Sequence, residues 1–201
     1  MKLDLGELSR KAVHISGVLA VPLLYALGRT KTAFLFFFLA ALLYIYPSVV
    51  ESTKKTFLGG FLRSFRSALD FFEQSRKRRY AGAINFLAGI GLTIFIFPEK
   101  IASISIIALC IGDGVSTLVG RYFGKNRLFH NESKSWEGSL SGLIASVIVC
   151  LSITSLPVAL FGSFVGMLTE SLDLGVDDNL SVPFAVGVSV YLVSYAGLLA
   201  V

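Results

Sequence analysis

A single aspartate lies inside one of the most apolar stretches of the chain. Asp113 stands between Gly112 and Gly114, seven residues before Gly120, and an unbroken helix would place it about 10 Å from the end of that segment. An ionisable side chain at this depth is costly unless it is paired or faces water. We therefore expect a functional carboxylate, with a structural ion pair to a nearby arginine as the alternative. The flanking glycines are expected to let the helix break and its backbone approach a ligand.

The loop that follows this aspartate is suited to phosphate binding. It contains Lys125 and Lys134, and Ser135 is placed to cap the next helix, whose amino-terminal amides would then face the loop. The loop is not a Walker A motif, because its glycine spacing is one residue short and Asn126 replaces the required Ser or Thr. Basic loop residues that merely face lipid headgroups are the alternative.

Carboxylates gather before the last apolar stretch. Asp177 and Asp178 do not belong to an EF-hand, because Gly175 and Asp178 stand where that loop requires a ligand and a glycine. Carboxylates beside a cationic loop are typical of a magnesium–nucleotide site, in which the metal bridges phosphate oxygens. A solvated acidic turn is the alternative.

A third polar group lies near the amino terminus. His14 follows Arg10 by one helical turn, and alone it would be an ordinary interfacial histidine. Together with Lys11 it is a candidate to hold a phosphate.

Seven apolar segments must position these side chains. The chain has 201 residues, of which 54% are hydrophobic and 15% charged, and its mean hydropathy is +0.74. Soluble domains carry about 25% charged residues, so we predict an all-α membrane helix bundle forming one membrane-embedded catalytic domain over 1–201. A soluble kinase, a Rossmann enzyme and a zinc finger are excluded. The predicted spans are 13–28, 32–50, 81–97, 101–120, 137–155, 157–173 and 181–200.

The basic residues orient this bundle. Seven spans place fifteen of the eighteen lysines and arginines on the side of the amino terminus, which predicts a cytoplasmic amino terminus. A cleavable signal peptide is the alternative for the first span, because Ala26-Leu27-Gly28 loosely resembles a cleavage site. The net charge of +5 is then explained by anionic headgroups, and we expect no nucleic-acid partner.

The 51–80 loop is too long for a simple turn. Its phenylalanines and leucines recur every three or four residues, with lysines and arginines between them, which predicts an amphipathic helix in the headgroup plane. This helix is either a plain surface helix or a lid for a lipid substrate. The two cysteines, Cys110 and Cys150, lie within predicted spans and are expected to act as small hydrophobic residues. The glycine pairs 138/142 and 162/166 are expected at helix contacts.

The residues described above occur along the chain in the same order as the motifs of a known family. The matching positions are Arg10-Lys11-x-x-His14, Glu51, Gly82-Ala83-x-Asn85-Phe86, Gly112-Asp113, Gly120, Gly124-Lys125, Lys134-Ser135-x-Glu137-Gly138, Glu170, Asp177-Asp178-Asn179 and Pro183. The chain resembles the CTP-dependent polyprenol kinases, which include dolichol kinase, phytol kinase and the fungal CTP-dependent diacylglycerol kinase. It lacks the longer continuation of the phosphatidate cytidylyltransferase signature and the long amino-terminal membrane region of eukaryotic dolichol kinases.

The resemblance implies transfer of the terminal phosphoryl of CTP to a membrane-dissolved alcohol, with Mg²⁺ as cofactor. Asp113 would accept the alcohol proton or share the metal, and this choice stays open. The implied catalytic residues are Asp113, Lys134 and Glu137; the nucleotide-binding residues are Arg10, Lys11, His14, Lys125, Ser135, Gly112, Gly124 and Gly138; the metal ligands are Asp113, Asp177 and Asp178; further candidates are Glu51, Asn85, Glu170 and Asn179.

Two other functions remain open at this point. A cytidylyltransferase would transfer CMP to a lipid phosphate and release pyrophosphate, whereas a kinase releases CDP. A non-enzymatic membrane protein would only bind anions or lipid through its charges. The alcohol (dolichol, geranylgeraniol, phytol or diacylglycerol) and the oligomeric state are left open, and the small size favours a multi-pass protein of a prokaryotic cell membrane.

Overall fold

Glycines, prolines and charged residues divide the apolar sequence into helices near the predicted positions. The structure is a computed structural model that describes residues 5–53, 60 and 80–201. The helices are α1 (Leu5–Ser16), a 3₁₀ turn (Gly17–Leu19), α2 (Ala20–Leu27), α3 (Arg29–Ser52), α4 (Ala81–Ile96), α5 (Glu99–Ile107), a π-helical turn (Ala108–Asp113), α6 (Gly114–Phe123), α7 (Trp136–Cys150), α8 (Leu156–Ser171) and α9 (Asp178–Tyr195). The strands are β1 (Arg127–Leu128) and β2 (Asn131–Ser135).

Several helices are suited to a bilayer. Three described segments are long and apolar enough to cross a membrane, namely Leu8–Leu27, Arg29–Ser52 and Glu99–Phe123, and α4, α7 and α8 are shorter apolar helices. The chain is therefore a helical protein with the character of a membrane bundle. The count of seven spans and the cytoplasmic amino terminus stay predictions. The amphipathic helix predicted for 51–80 falls mostly outside the described residues.

The helix over 99–123 is the centre of the bundle. In its most apolar window 78% of the residues are buried, and Ile104, Ile107 and Leu109 are buried completely or almost completely. Small residues bring its neighbours close: a Cβ at Gly162 would lie 2.6 Å from Ile104 Cγ2, and a Cβ at Gly166 would lie 2.9 Å from the Ala108 Cβ. The predicted helix contacts at these glycines are confirmed.

The chain does not break at Asp113, contrary to the sequence expectation. Instead the central helix widens into the π-helical turn over Ala108–Asp113 and continues as α6. Such turns change which side chains face a site without ending the helix, and they occur frequently at functional sites. The antiparallel hairpin of β1 and β2, which the sequence analysis did not predict, shapes the loop between α6 and α7.

Candidate active site

Asp113 is a buried charged residue held by the first helix. Its side chain is 6% exposed, and Oδ2 accepts a hydrogen bond from Lys11 Nζ at 2.9 Å and lies 3.3 Å from His14 Nε2. Oδ1 accepts a hydrogen bond from the Thr117 hydroxyl at 3.2 Å. Lys11 and His14, three residues apart on α1, share the helix face that meets this carboxylate. Asp113 therefore does form an ion pair, as the alternative interpretation required, but its cation is a lysine rather than an arginine.

The glycines beside Asp113 make room for the two helices that close around it. A Cβ at Gly114 would lie 2.4 Å from Ile15 Cγ1 on α1, and a Cβ at Gly112 would lie 2.6 Å from Met167 Cε on α8. Real Cβ atoms do not approach other atoms this closely, so a larger residue at either position would force Ile15 or the flexible end of Met167 to move. The glycines thus bring α1 and its cations to the aspartate.

A second buried ion pair lies beside the first. Lys134 Nζ donates to Glu170 Oε1, which also accepts a hydrogen bond from the Ser116 hydroxyl at 3.1 Å. Asp178 Oδ2 lies 3.8 Å from Lys134 Nζ. Burial opposes the charge on Lys134, but the nearby carboxylates of Glu170 and Asp113 prevail and raise its pKa, so this residue stays a cation.

Negative charge accumulates around Asp178. Partial burial raises the pKa of Asp178 to about 6. The positive charge of Lys134 lowers this pKa, whereas the negative charges of Asp113 and Glu170 raise it further. A carboxylate in this situation gains from any further cation that reaches it. The position is therefore suited to a divalent ion.

The two ion pairs border two adjoining cavities. The first, the Asp113 cavity, has a volume of about 470 Å³ and is lined by Arg10, Lys11, His14, Gly82, Asp113, Thr117, Lys134, Asp173, Val176, Asp177, Asp178 and Asn179. The second, the Glu170 cavity, has a volume of about 330 Å³ and is lined by Ser116, Thr117, Gly120, Arg121, Arg127, Ser133, Lys134, Ser135, Gly138, Ser139 and Glu170. Lys134 and Thr117 line both, so Lys134 is the cation that the two cavities share.

The start of α9 is fixed against α4. Asp177 caps α9 by accepting a hydrogen bond from the Asn179 amide at 3.0 Å, and its other oxygen accepts one from Asn85 Nδ2 at 3.0 Å. Asn179 in turn donates to the Gly82 carbonyl at 3.5 Å. The predicted candidates Asn85 and Asn179 therefore position the acidic pair.

The acidic pair supplies the carboxylate oxygens with which Mg²⁺ would be held. Among the described residues no group of three or more His, Cys, Asp or Glu is arranged to hold a metal, so Asp113 is not assembled with Asp177 and Asp178 as three ligands of one ion. Mg²⁺ usually needs only one or two carboxylates together with substrate phosphates. Asp177 and Asp178 line the Asp113 cavity and satisfy that requirement. The side chain of Asp178 is 40% exposed.

The loop residues of the family motif fall into different roles. Ser135 caps α7, as predicted, by accepting a hydrogen bond from the Gly138 amide at 3.1 Å. Glu137 accepts hydrogen bonds from the Asn126 backbone amide at 3.1 and 3.2 Å and from its side chain at 2.7 Å. It therefore braces the loop and does not line either cavity. Lys125 is exposed and is also outside both cavity linings.

Two of the candidate phosphate-binding glycines have tight packing contacts of their own. A Cβ at Gly138 would lie 2.6 Å from the Ser116 carbonyl oxygen, and a Cβ at Gly124 would lie 2.2 Å from the Gly120 carbonyl oxygen. These contacts let α6, α7 and the loop approach each other. The last candidate, Glu51, lies exposed in the final turn of α3.

Sequence reasoning missed several polar residues of the site, among them Ser116, Thr117 and Arg127. Ser116 and Thr117 lie three and four residues after Asp113, the spacing that places side chains on one helix face, so helical periodicity could have found them. Arg127 lines the Glu170 cavity because the hairpin folds back on itself. No signal in the sequence pointed to that turn.

Comparisons with known proteins support the resemblance. The chain is 31% identical over 196 residues, 89% of its length, to a protein of Glycine max named "Probable phytol kinase 1, chloroplastic", and covers 64% of that protein. It is 28% identical over 138 residues to "CTP-dependent diacylglycerol kinase 1" of Schizosaccharomyces pombe, covering 60% of this chain and 63% of the other. It is 32% identical over 133 residues to "Phytol kinase" of Synechocystis, covering 59% and 54%.

The chain is therefore related to the CTP-dependent polyprenol and lipid kinases, and the resemblance drawn from its motifs is confirmed. It spans about three fifths of the length of these relatives. No family model and no solved structure matches the chain.

Proposed function

We propose that this chain is a membrane-embedded kinase that transfers the terminal phosphoryl of CTP to the hydroxyl of a lipid alcohol. The observation that carries the proposal is the Asp113 cavity, where α1, the central helix, the hairpin and the start of α9 bring cations and carboxylates together. Relatives named phytol kinase, farnesol kinase and CTP-dependent diacylglycerol kinase support this chemistry. An isoprenoid alcohol of the phytol or farnesol class is the proposed substrate.

Phosphoryl transfer needs positioning and charge neutralisation more than covalent chemistry. In the proposed site, Lys134 binds the terminal phosphate of CTP and Lys11 supplies further positive charge beside Asp113. Asp177 and Asp178 would hold Mg²⁺, which neutralises charge on the phosphate oxygens when it is bound. Asn85 keeps Asp177 oriented toward the cavity through its hydrogen bond.

The proposed location follows from where the two substrates meet. A lipid alcohol keeps its hydroxyl near the headgroup boundary, and CTP is dissolved in the cytosol. The proposal therefore places the Asp113 cavity at the cytoplasmic face, in agreement with the distribution of lysines and arginines. The chain would be one multi-pass domain of a prokaryotic cell membrane.

The test measures phosphoryl transfer by purified protein in detergent. CTP or ATP labelled on the terminal phosphate is offered with Mg²⁺ and, in separate reactions, phytol, farnesol, geranylgeraniol, dolichol or diacylglycerol. We expect labelled lipid from CTP with at least one isoprenoid alcohol, and loss of that label when Mg²⁺ is chelated. No labelled lipid from any alcohol would refute the proposal, and release of pyrophosphate with a lipid phosphate would replace it by a cytidylyltransferase.

A further inference from the structure

Glu170 is a buried carboxylate that is only half satisfied. It lies near the end of α8 and is 1% exposed. Oε1 accepts hydrogen bonds from Lys134 and Ser116, whereas Oε2 is buried and has no hydrogen-bond partner in the part of the chain that the structure describes. A buried acceptor without a donor destabilises the folded state, and it does so more when it is charged. Because Glu170 also lines a cavity, a buried oxygen without a donor at this position points to a ligand that donates a hydrogen bond to it.

The other walls of the Glu170 cavity define what this ligand meets. Arg121, Arg127 and Lys134 contribute cations, and Ser116, Thr117 and Ser139 contribute hydroxyl groups. Lys134 also lines the Asp113 cavity. A phosphate held by Lys134 is therefore accessible from the Glu170 side as well as from the Asp113 side.

An apolar groove continues from this cavity along the outer faces of α7 and α8. Its volume is about 220 Å³, and its lining is mainly hydrophobic: Leu128, His130, Trp136, Ser139, Leu140, Leu143, Phe164, Met167, Leu168 and Ser171. Ser139 lines both the groove and the Glu170 cavity. A groove with this lining is suited to the first carbons of an alkyl or isoprenoid chain.

From these contacts we infer that the lipid alcohol binds with its first carbons in the α7–α8 groove and its hydroxyl donating to Glu170 Oε2, which acts as the general base. This inference rests on the proposed function and specifies its second substrate site. The alcohol oxygen forms a bond to the terminal phosphorus of CTP while the bond from that phosphorus to the bridging oxygen breaks. The electron pair leaves on the β-phosphate of CDP, and the hydroxyl proton passes to Glu170 Oε2.

Asp113 fits this role less well than Glu170. Each of its two oxygens already accepts a hydrogen bond, from Lys11 and from Thr117. Glu170 Oε2, in contrast, has no donor among the described residues, so the hydroxyl of the alcohol would be its first hydrogen-bond donor. The proposal therefore gives the two carboxylates different roles: Asp113 fixes the cations of α1, and Glu170 receives the proton of the alcohol.

The first test compares Glu170→Gln with Glu132→Gln, a matched control in the exposed part of the hairpin. For Glu170→Gln we expect kcat to fall by about 10²–10⁴-fold, while the Kd for CTP, measured directly, changes less than about threefold. A more acidic hydroxyl depends less on a general base. With an alcohol that carries fluorine on the carbon next to the hydroxyl-bearing carbon, the kcat of Glu170→Gln should therefore rise at least about tenfold relative to wild type. Glu132→Gln should keep wild-type values.

Two results would overturn the assignment of the base. An unchanged kcat would remove Glu170 from the reaction. A parallel loss of CTP affinity, with no recovery by the fluorinated alcohol, would mean that Glu170 acts only through Lys134.

A second variant tests the alcohol path without altering Glu170. Ser139→Trp narrows the junction between groove and cavity, so the KM for the alcohol should rise at least about tenfold with an unchanged Kd for CTP. An unchanged alcohol KM would refute the path even if Glu170→Gln does not fold. Failure of the proposed function is distinguishable, because wild-type protein would then label no alcohol at all.

Discussion

The buried pair between Lys11 and Asp113 predicts a specific pattern of stability and activity. Both side chains are less than a tenth exposed, so Asp113→Asn leaves the Lys11 charge buried without its partner. Removing one member of such a pair costs about 3–5 kcal/mol, which corresponds to a fall of roughly 6–20 °C in melting temperature for a chain of this size. We expect the same range for Lys11→Met.

The double variant separates structure from function. Because Lys11→Met/Asp113→Asn leaves no unpaired charge at this contact, its loss of stability should be smaller than the sum of the single losses by about 1–3 kcal/mol. Its phosphoryl transfer should nevertheless stay abolished, since the cation and carboxylate of the proposed site are gone.

The assay is thermal unfolding in detergent, followed by intrinsic fluorescence, together with the phosphoryl-transfer rate. Arg29→Met is the control, because Arg29 donates to the Phe95 carbonyl at 3.0 Å near the carboxyl end of α4, away from Gly82 and the cavity. This exposed change should alter stability by less than about 0.5 kcal/mol. Additive losses in the double variant would refute the contact, and wild-type transfer by Asp113→Asn would remove Asp113 from the mechanism.

Three further variants test the remaining assignments. Lys134→Met should weaken CTP binding by roughly 10–150-fold, because one charge-assisted hydrogen bond, which contributes about 1.5–3 kcal/mol, is lost. An unchanged Kd for CTP in a direct binding assay would contradict the proposed role of Lys134. Glu137→Gln should lower kcat less than about tenfold, because Glu137 braces the loop at Asn126, whereas a loss above a hundredfold would restore it as a catalytic group. Gly138→Val should lower the melting temperature strongly, because its Cβ would lie 2.6 Å from the Ser116 carbonyl oxygen. The change Ile144→Val at an exposed position of the same helix should not, and equal effects of the two variants would contradict this close approach.

The sequence was sufficient to locate the helices and most of the charged residues of the site. Each of the seven predicted apolar segments overlaps helical residues of the structure, because an apolar run of this length has few alternatives to a helix; their number as membrane spans stays a prediction. An isolated carboxylate in such a run marked Asp113, and the serine before Trp136 marked the cap of α7.

The partners of these residues required the structure. Lys11 and Asp113 are 102 positions apart, and nothing in the spacing of either segment specifies that contact. The glycines beside Asp113 indicated flexibility, whereas their actual contribution is the close approach of Ile15 and Met167. Glu170 was one charged motif position among several, and only its burial and its unpartnered oxygen distinguish it.

The central claim is transfer of the terminal phosphoryl of CTP to a lipid alcohol. The most direct measurement offers CTP labelled with one isotope on the terminal phosphate and another on the α-phosphate, together with phytol, Mg²⁺ and purified protein. The account predicts that the terminal label appears in the lipid, that the α-label stays in CDP, and that Lys134→Met transfers less label at limiting CTP. Appearance of the α-label in a lipid product, or of neither label with any lipid alcohol, would contradict it.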